Sequence, residues 1–150
     1  MSLKDTIQDD TKAALLSGDR FAADTLRNLK AAILNEEVAR NVRDEGLNDA
    51  DIEKVIAKEV KKRSESIAIY EQNGRPELAE NEKKEADILS RYLPEQLSEH
   101  KLREIVEQKI AELGADGPHA MGQVIGAVKQ QVGSSADSAL VAKIVKETLN

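Results

Sequence analysis

Apolar residues recur along this chain three and four positions apart, the spacing of an amphipathic helix rather than the alternation of a strand. The pattern predicts an all-α fold. Ser2 with Asp5 reads as a capping box that opens a first helix, and Ser17-Gly18 closes it. A second, long helix begins at Asp19 or Arg20 and is expected to run to Gly46. Its apolar stripe is Leu26, Leu29, Ile33, Leu34, Val38 and Val42. Asn48 caps a third helix, with Asp49 and Asp51 in the first turn, where the helix dipole favours acids. Ile52, Val55, Ile56, Val60, Ile67 and Tyr70 form its stripe, and Asn73-Gly74 stops it. Pro76 suits the first turn of a fourth helix that reaches Tyr92-Leu93.

Pro94 interrupts the pattern. Three shorter helices are expected after it: Ser98 to Leu113, Pro118 to Val132, and Ser135 or Ala136 to Leu149. The reading is therefore a helical bundle over residues 1–94 and a three-helix tail domain over 95–150. Helices two and three are expected to form a long antiparallel hairpin, completed by helices one and four.

Composition excludes several kinds of chemistry. There is no cysteine, hence no disulfide and no thiolate metal site or nucleophile. The two histidines, His100 and His119, lack a second histidine at helical metal-ligand spacing. Neither a GxxxxGK[ST] loop nor a GxGxxG turn after a strand occurs. Glu36-Glu37 and Glu82-Glu85 are paired carboxylates, but with no nucleophile beside them they read as surface charge on helices. No cofactor and no metal are expected. No apolar run is long enough to span a membrane. The opening MSLKDTIQDD reads as neither signal nor transit peptide, so the expected location is cytoplasmic.

The net charge of −6 opposes a general electrostatic grip on nucleic acid. Three aromatic residues, Phe21, Tyr70 and Tyr92, provide little for base stacking. One basic face nevertheless has helical logic. Lys54, Lys58 and Lys61 stand at i, i+4 and i+7, flanked by Lys62, and Arg27 and Lys30 lie nearby if the hairpin forms. The same face is also readable as a solvated one, offset by Glu53, Glu59 and Glu65. Arg63, Glu65, Tyr70, Arg75, Glu82 and Glu85 are expected to form a polar network between helices three and four.

Three segments carry a resemblance. TLRNLKAAILNEE (Thr25 to Glu37), KRSESIAIYEQNGRPELAENEKKEADILSRYLPEQLS (Lys62 to Ser98) and MGQVIGAVK (Met121 to Lys129) together resemble the GatB/YqeY family. Its stand-alone members are small bacterial proteins similar to the C-terminal helical and tail portions of the GatB component of aspartyl/glutamyl-tRNA amidotransferase. The resemblance implies a helical bundle with a small tail, and binding of tRNA or of a synthetase or amidotransferase component. It also brings the family label of a carbon–nitrogen ligase with glutamine as amide donor. No part of these 150 residues matches the catalytic core of that enzyme, so no intrinsic activity is expected. The family's tail helix often reads MGKVMG, followed by a basic loop. Here Gln123 and Ile125 replace the lysine and methionine, and Gly133-Ser134-Ser135-Ala136 replaces the loop.

Two glycines stand inside that tail helix. Gly122 and Gly126 fall on the margin of its apolar stripe, where a bare strip admits a close neighbour. The neighbour is expected to be the last helix or an RNA backbone. Candidate contact residues are thus Arg27, Lys30, Lys54, Lys58, Lys61, Lys62, Gly122, Gly126 and Lys129. The alternative is a helical module that binds a protein partner and no nucleic acid. A monomer is the expected state.

Overall fold

A computed structural model describes residues 1–150. It contains seven α-helices and no strand. They are α1 (Leu3–Ser17), α2 (Arg20–Ala39), α3 (Asp49–Gln72), α4 (Pro76–Ser90), α5 (Glu99–Leu113), α6 (Met121–Val132) and α7 (Ser138–Leu149). The chain divides into two compact units, Met1–Leu93 and Pro94–Asn150.

The helix starts are set by short polar side chains. The Ser2 hydroxyl accepts the Asp5 amide, Asn48 accepts that of Asp51, and Ser98 accepts that of Lys101. Each such cap contributes about 1 kcal/mol. In the first unit, Ile7, Leu26, Leu29, Ile33, Leu47, Ile52, Ile56 and Leu89 form one buried cluster. The most extensive packing is α3 against α4, then α1 against α2, with a smaller meeting of α2 and α3. The expected pairing of helices two and three as the principal hairpin is thus replaced by two tighter ones. Connection length explains this: α3 and α4 are joined by residues 73–75 alone, whereas residues 40–48 separate α2 from α3.

Helix α2 also ends earlier than its apolar period suggests. Its last residue is Ala39, not the neighbourhood of Gly46. Asn41 takes a left-handed conformation (φ 58°), which a helix cannot continue through and which asparagine tolerates better than most residues. The chain then folds back, with the Val42 amide on the Glu37 carbonyl at 2.8 Å and the Gly46 amide on the Val42 carbonyl at 2.7 Å. Leu34 and Val38, expected in the core stripe, are exposed by 42% and 58%. The buried face carries Ala23, Leu26, Leu29, Ile33 and Glu37 instead.

The second unit packs α5, α6 and α7 around Leu102, Val106, Val124, Val128, Val141, Ile144 and Val145. Pro118–Ala120 forms a 3-10 turn ahead of α6, where a single helix from Pro118 is expected. Gly133–Ser135 forms another, so α7 starts at Ser138 rather than at Ser135 or Ala136. That turn is tied to the start of the unit: the Leu97 amide donates to the Ser135 carbonyl at 2.8 Å, and Gln96 Nε2 to the Ser134 carbonyl at 2.9 Å.

Candidate nucleic-acid interface

Helix α3 buries one narrow face, centred on Ile52 and Ile56. At 100° per residue, Lys54, Lys58 and Lys61 fall roughly 180–240° away from Ile52. They therefore stand on the outer face, and all three are exposed. They span about 10 Å along the helix axis at 1.5 Å per residue. None of them makes an ion pair, whereas the neighbouring cations do: Lys62 reaches Glu59 at 3.3 Å, and Arg63 reaches Glu85 at 3.0 Å. Of the three carboxylates expected to offset the strip, Glu59 is taken by Lys62, while Glu53 and Glu65 pair with none of the three lysines.

Arg27 and Lys30 do not extend this strip by any shared contact. Arg27 lies 3.8 Å from Asp24 on its own helix. Lys30 lines a groove between α1 and α2, to which α3 contributes nothing. The separation follows from the packing of α2 on α1, which turns the Lys30 side of the helix toward α1.

Of the polar network expected between α3 and α4, one link forms. Arg63 Nε donates to Glu85 Oε2 at 3.0 Å, and Arg63 Nη1 to the Glu59 carbonyl at 3.0 Å. Burial, with the nearby Glu85 charge, raises the Glu82 pKa, and Arg63 opposes that rise. Glu65, Tyr70 and Arg75 take no part through their side chains. A second link joins α3 and α4 further along, between Lys83 and Glu71 at 3.0 Å. Tyr92 donates instead to Asp10 on α1 at 2.6 Å, and burial first, then that hydrogen bond, raises the phenol pKa.

In the tail, Gly122 and Gly126 are exposed, and a Cβ built on either would meet nothing within 4 Å. The expectation that they admit helix α7 is therefore overturned. Lys129, also exposed, shares their side of α6: the three fall at about 100°, 140° and 80° from Met121. The result is a flat outer strip ending in one lysine.

The site that sequence reasoning missed is Glu37. Read as surface charge, it is 2% exposed, among the buried side chains of the first unit. Its Oε2 accepts from Lys4 Nζ at 2.9 Å and from the Leu47 amide at 2.9 Å. The hydrogen bond from Lys4 holds its pKa down; burial pushes the other way and is outweighed. The available signal was periodic: Glu37 follows Ile33 by four residues and Leu26 by eleven, which places it on the core face. No three His, Asp or Glu side chains anywhere are grouped as metal ligands.

Fold and surface together define a small two-unit helical protein with a lysine strip and a bare tail helix. The chain belongs to the YqeY-like protein family, whose model matches residues 4–149. Curated relatives named "Altered inheritance of mitochondria protein 41, mitochondrial" are similar to it. That of Pyrenophora tritici-repentis is 29% identical over 147 residues, covering 95% of this chain and 78% of the relative. That of Clavispora lusitaniae is 27% identical over 134 residues, covering 87% and 74%. That of Kluyveromyces lactis is 33% identical over 86 residues, covering 57% and 45%. Those relatives are mitochondrial by name. In the present chain, no helix is long and apolar enough to cross a membrane.

Proposed function

We propose that this protein is a helical module with no chemistry of its own, which binds tRNA or a protein that handles tRNA. The observation that carries the reading is the α3 strip. Lys54, Lys58 and Lys61 are exposed, share one face and make no ion pair, although the chain carries net charge −6. Cations left unpaired in a row suit successive phosphates, which attract lysine without regard to sequence. Membership of the YqeY-like family supports the same reading through its resemblance to the tRNA-holding parts of the amidotransferase's GatB component. Gly122, Gly126 and Lys129 offer the tail a second flat contact, where a sugar-phosphate chain approaches without meeting side chains.

Fluorescence anisotropy of labelled tRNA against the full chain, over a range of salt, tests this. Three phosphate contacts predict that log K falls with log salt at a slope of roughly −2 to −3. Lys58→Glu and Lys61→Glu should each weaken binding and flatten the slope. Absence of salt-dependent binding at micromolar protein removes the RNA reading. Protein partners that persist after RNase treatment would then favour a module that binds protein alone.

A further inference from the structure

Helix α2 buries the face that carries Leu26, Leu29, Ile33 and Glu37 and leaves other apolar side chains outside the core. Ala31, Leu34 and Val38 lie at i, i+3 and i+7 on α2, all exposed. They form a strip about 10 Å long at 1.5 Å per residue. Beside it, α1 and α2 enclose a groove of about 290 Å³ whose floor includes Ile7, Ile33 and Leu34. Leu34 and Val38, exposed by 42% and 58%, stand one turn apart on the same face of α2.

The rim of the groove is cationic. Lys4 and Lys30 stand on it, and its one carboxylate, Glu37, is buried with Oε2 engaged by Lys4 and the Leu47 amide. Lys30 makes no ion pair and is exposed. An otherwise acidic chain thus has an apolar groove with an unpaired positive charge at its edge.

We propose that this groove docks an amphipathic helix of a partner protein, with apolar anchors at i, i+4 and i+7 and acidic residues flanking them. Strip length favours a helix. A small molecule filling the groove would leave Val38 wet, whereas a helix two turns long along α2 covers Ala31, Leu34 and Val38 together. Charge complementarity with Lys30 sets the flanking residues as Asp or Glu. RNA does not fit, since the floor offers hydrocarbon where phosphate needs donors. The surface is distinct from the α3 lysine strip and does not depend on it.

The test uses the full chain with methyl-labelled side chains. The probe is a stapled amphipathic helix of about four turns, with Leu anchors and Glu flanks, and a matched probe carrying Lys flanks. The Glu probe should bind and shift the methyl signals of Ala31, Leu34 and Val38. Lys30→Glu should weaken the Glu probe by about tenfold or more and let the Lys probe bind. Leu34→Asp should abolish binding of the Glu probe, with its thermal melt checked by circular dichroism. If Leu34→Asp fails to fold, the charge swap at Lys30 decides alone. The proposal fails if neither probe binds up to about 1 mM. It also fails if binding ignores the charge swap, or if the shifted signals lie elsewhere.

Discussion

Glu37 and Lys4 meet at 2.9 Å, linking the end of α2 to the start of α1, with one partner buried and the other half-exposed. The same carboxylate oxygen holds the Leu47 amide, so one side chain fastens α1, α2 and the returning loop. Glu37→Gln keeps the size and an acceptor but removes the charge. It should cost about 1–3 kcal/mol, between an ordinary hydrogen bond and a fully buried ion pair, because Lys4 remains half in water. The pH dependence has a defined sign. A carboxylate whose folded pKa is lowered contributes fully above its ordinary value near 4.5, and that contribution is lost as pH falls through the lowered value. Urea melts of the wild type should weaken from pH 5 toward pH 3, and melts of Glu37→Gln should weaken less over the same range. Equal slopes would remove Glu37 from the account.

Gly46 is fixed by that clamp for two reasons. Its φ is +78°, and a Cβ there would lie 3.2 Å from Glu37 Oε2 and 3.4 Å from Lys4 Nζ. Gly46→Ala should therefore destabilise by about 1–2 kcal/mol, from left-handed strain and crowding of the ion pair. The crowding part depends on Lys4 being held at Glu37. The double variant Gly46→Ala/Glu37→Gln should accordingly cost less than the sum of the two single changes. Strict additivity would mean that strain in the backbone accounts for the whole effect.

The helices themselves were legible because their caps and stops are local. Ser2, Asn48 and Ser98 act through amides three residues on, and the glycines after Ser17 and Leu113 are left-handed caps. What was not legible depends on how helices pack. Apolar period alone put Leu34 and Val38 inside, since a stripe that includes them is wider than one neighbouring helix can bury. The choice was made by α1, which covers the Ile33–Glu37 side. Glu37 was hidden for the same reason: a carboxylate is taken as exposed until its partner is known, and Lys4 lies 33 positions away. The lysine strip was legible as a helical face, but whether its charges were paired depended on rotamers that sequence does not specify.

Arg63 stands between two carboxylates of α4. It binds Glu85 at 3.0 Å, is 13% exposed, and opposes the upward shift that burial imposes on Glu82. Arg63→Met retains the length and apolar stem while leaving Glu82 and Glu85 without their cation. The expected loss is about 1–2 kcal/mol at pH 7, for a charged hydrogen bond that is partly solvated. The loss should shrink as pH falls toward the acid range, because Glu82, whose pKa is raised, takes up a proton first and so removes the repulsion that the variant exposes. Denaturant midpoints at pH 7 and in the acid range check both statements.

Gly122 and Gly126 separate stability from binding. Each lies within α6, with nothing within 4 Å of where a Cβ would stand. Alanine there meets no steric obstacle and lowers the entropy of the unfolded chain, so each change should stabilise the tail by about 0.5–1 kcal/mol. A higher melting temperature for Gly122→Ala and Gly126→Ala is the expected outcome, and a lower one would mean that the glycines are required within the chain. Gly126→Leu extends the test, since its larger side chain points into open space and should leave the melting temperature near that of Gly126→Ala. If tRNA affinity falls for the leucine variant while stability holds, the bare strip is a contact surface. If affinity is unchanged, the tail helix plays no part in binding, and the lysines of α3 act without it.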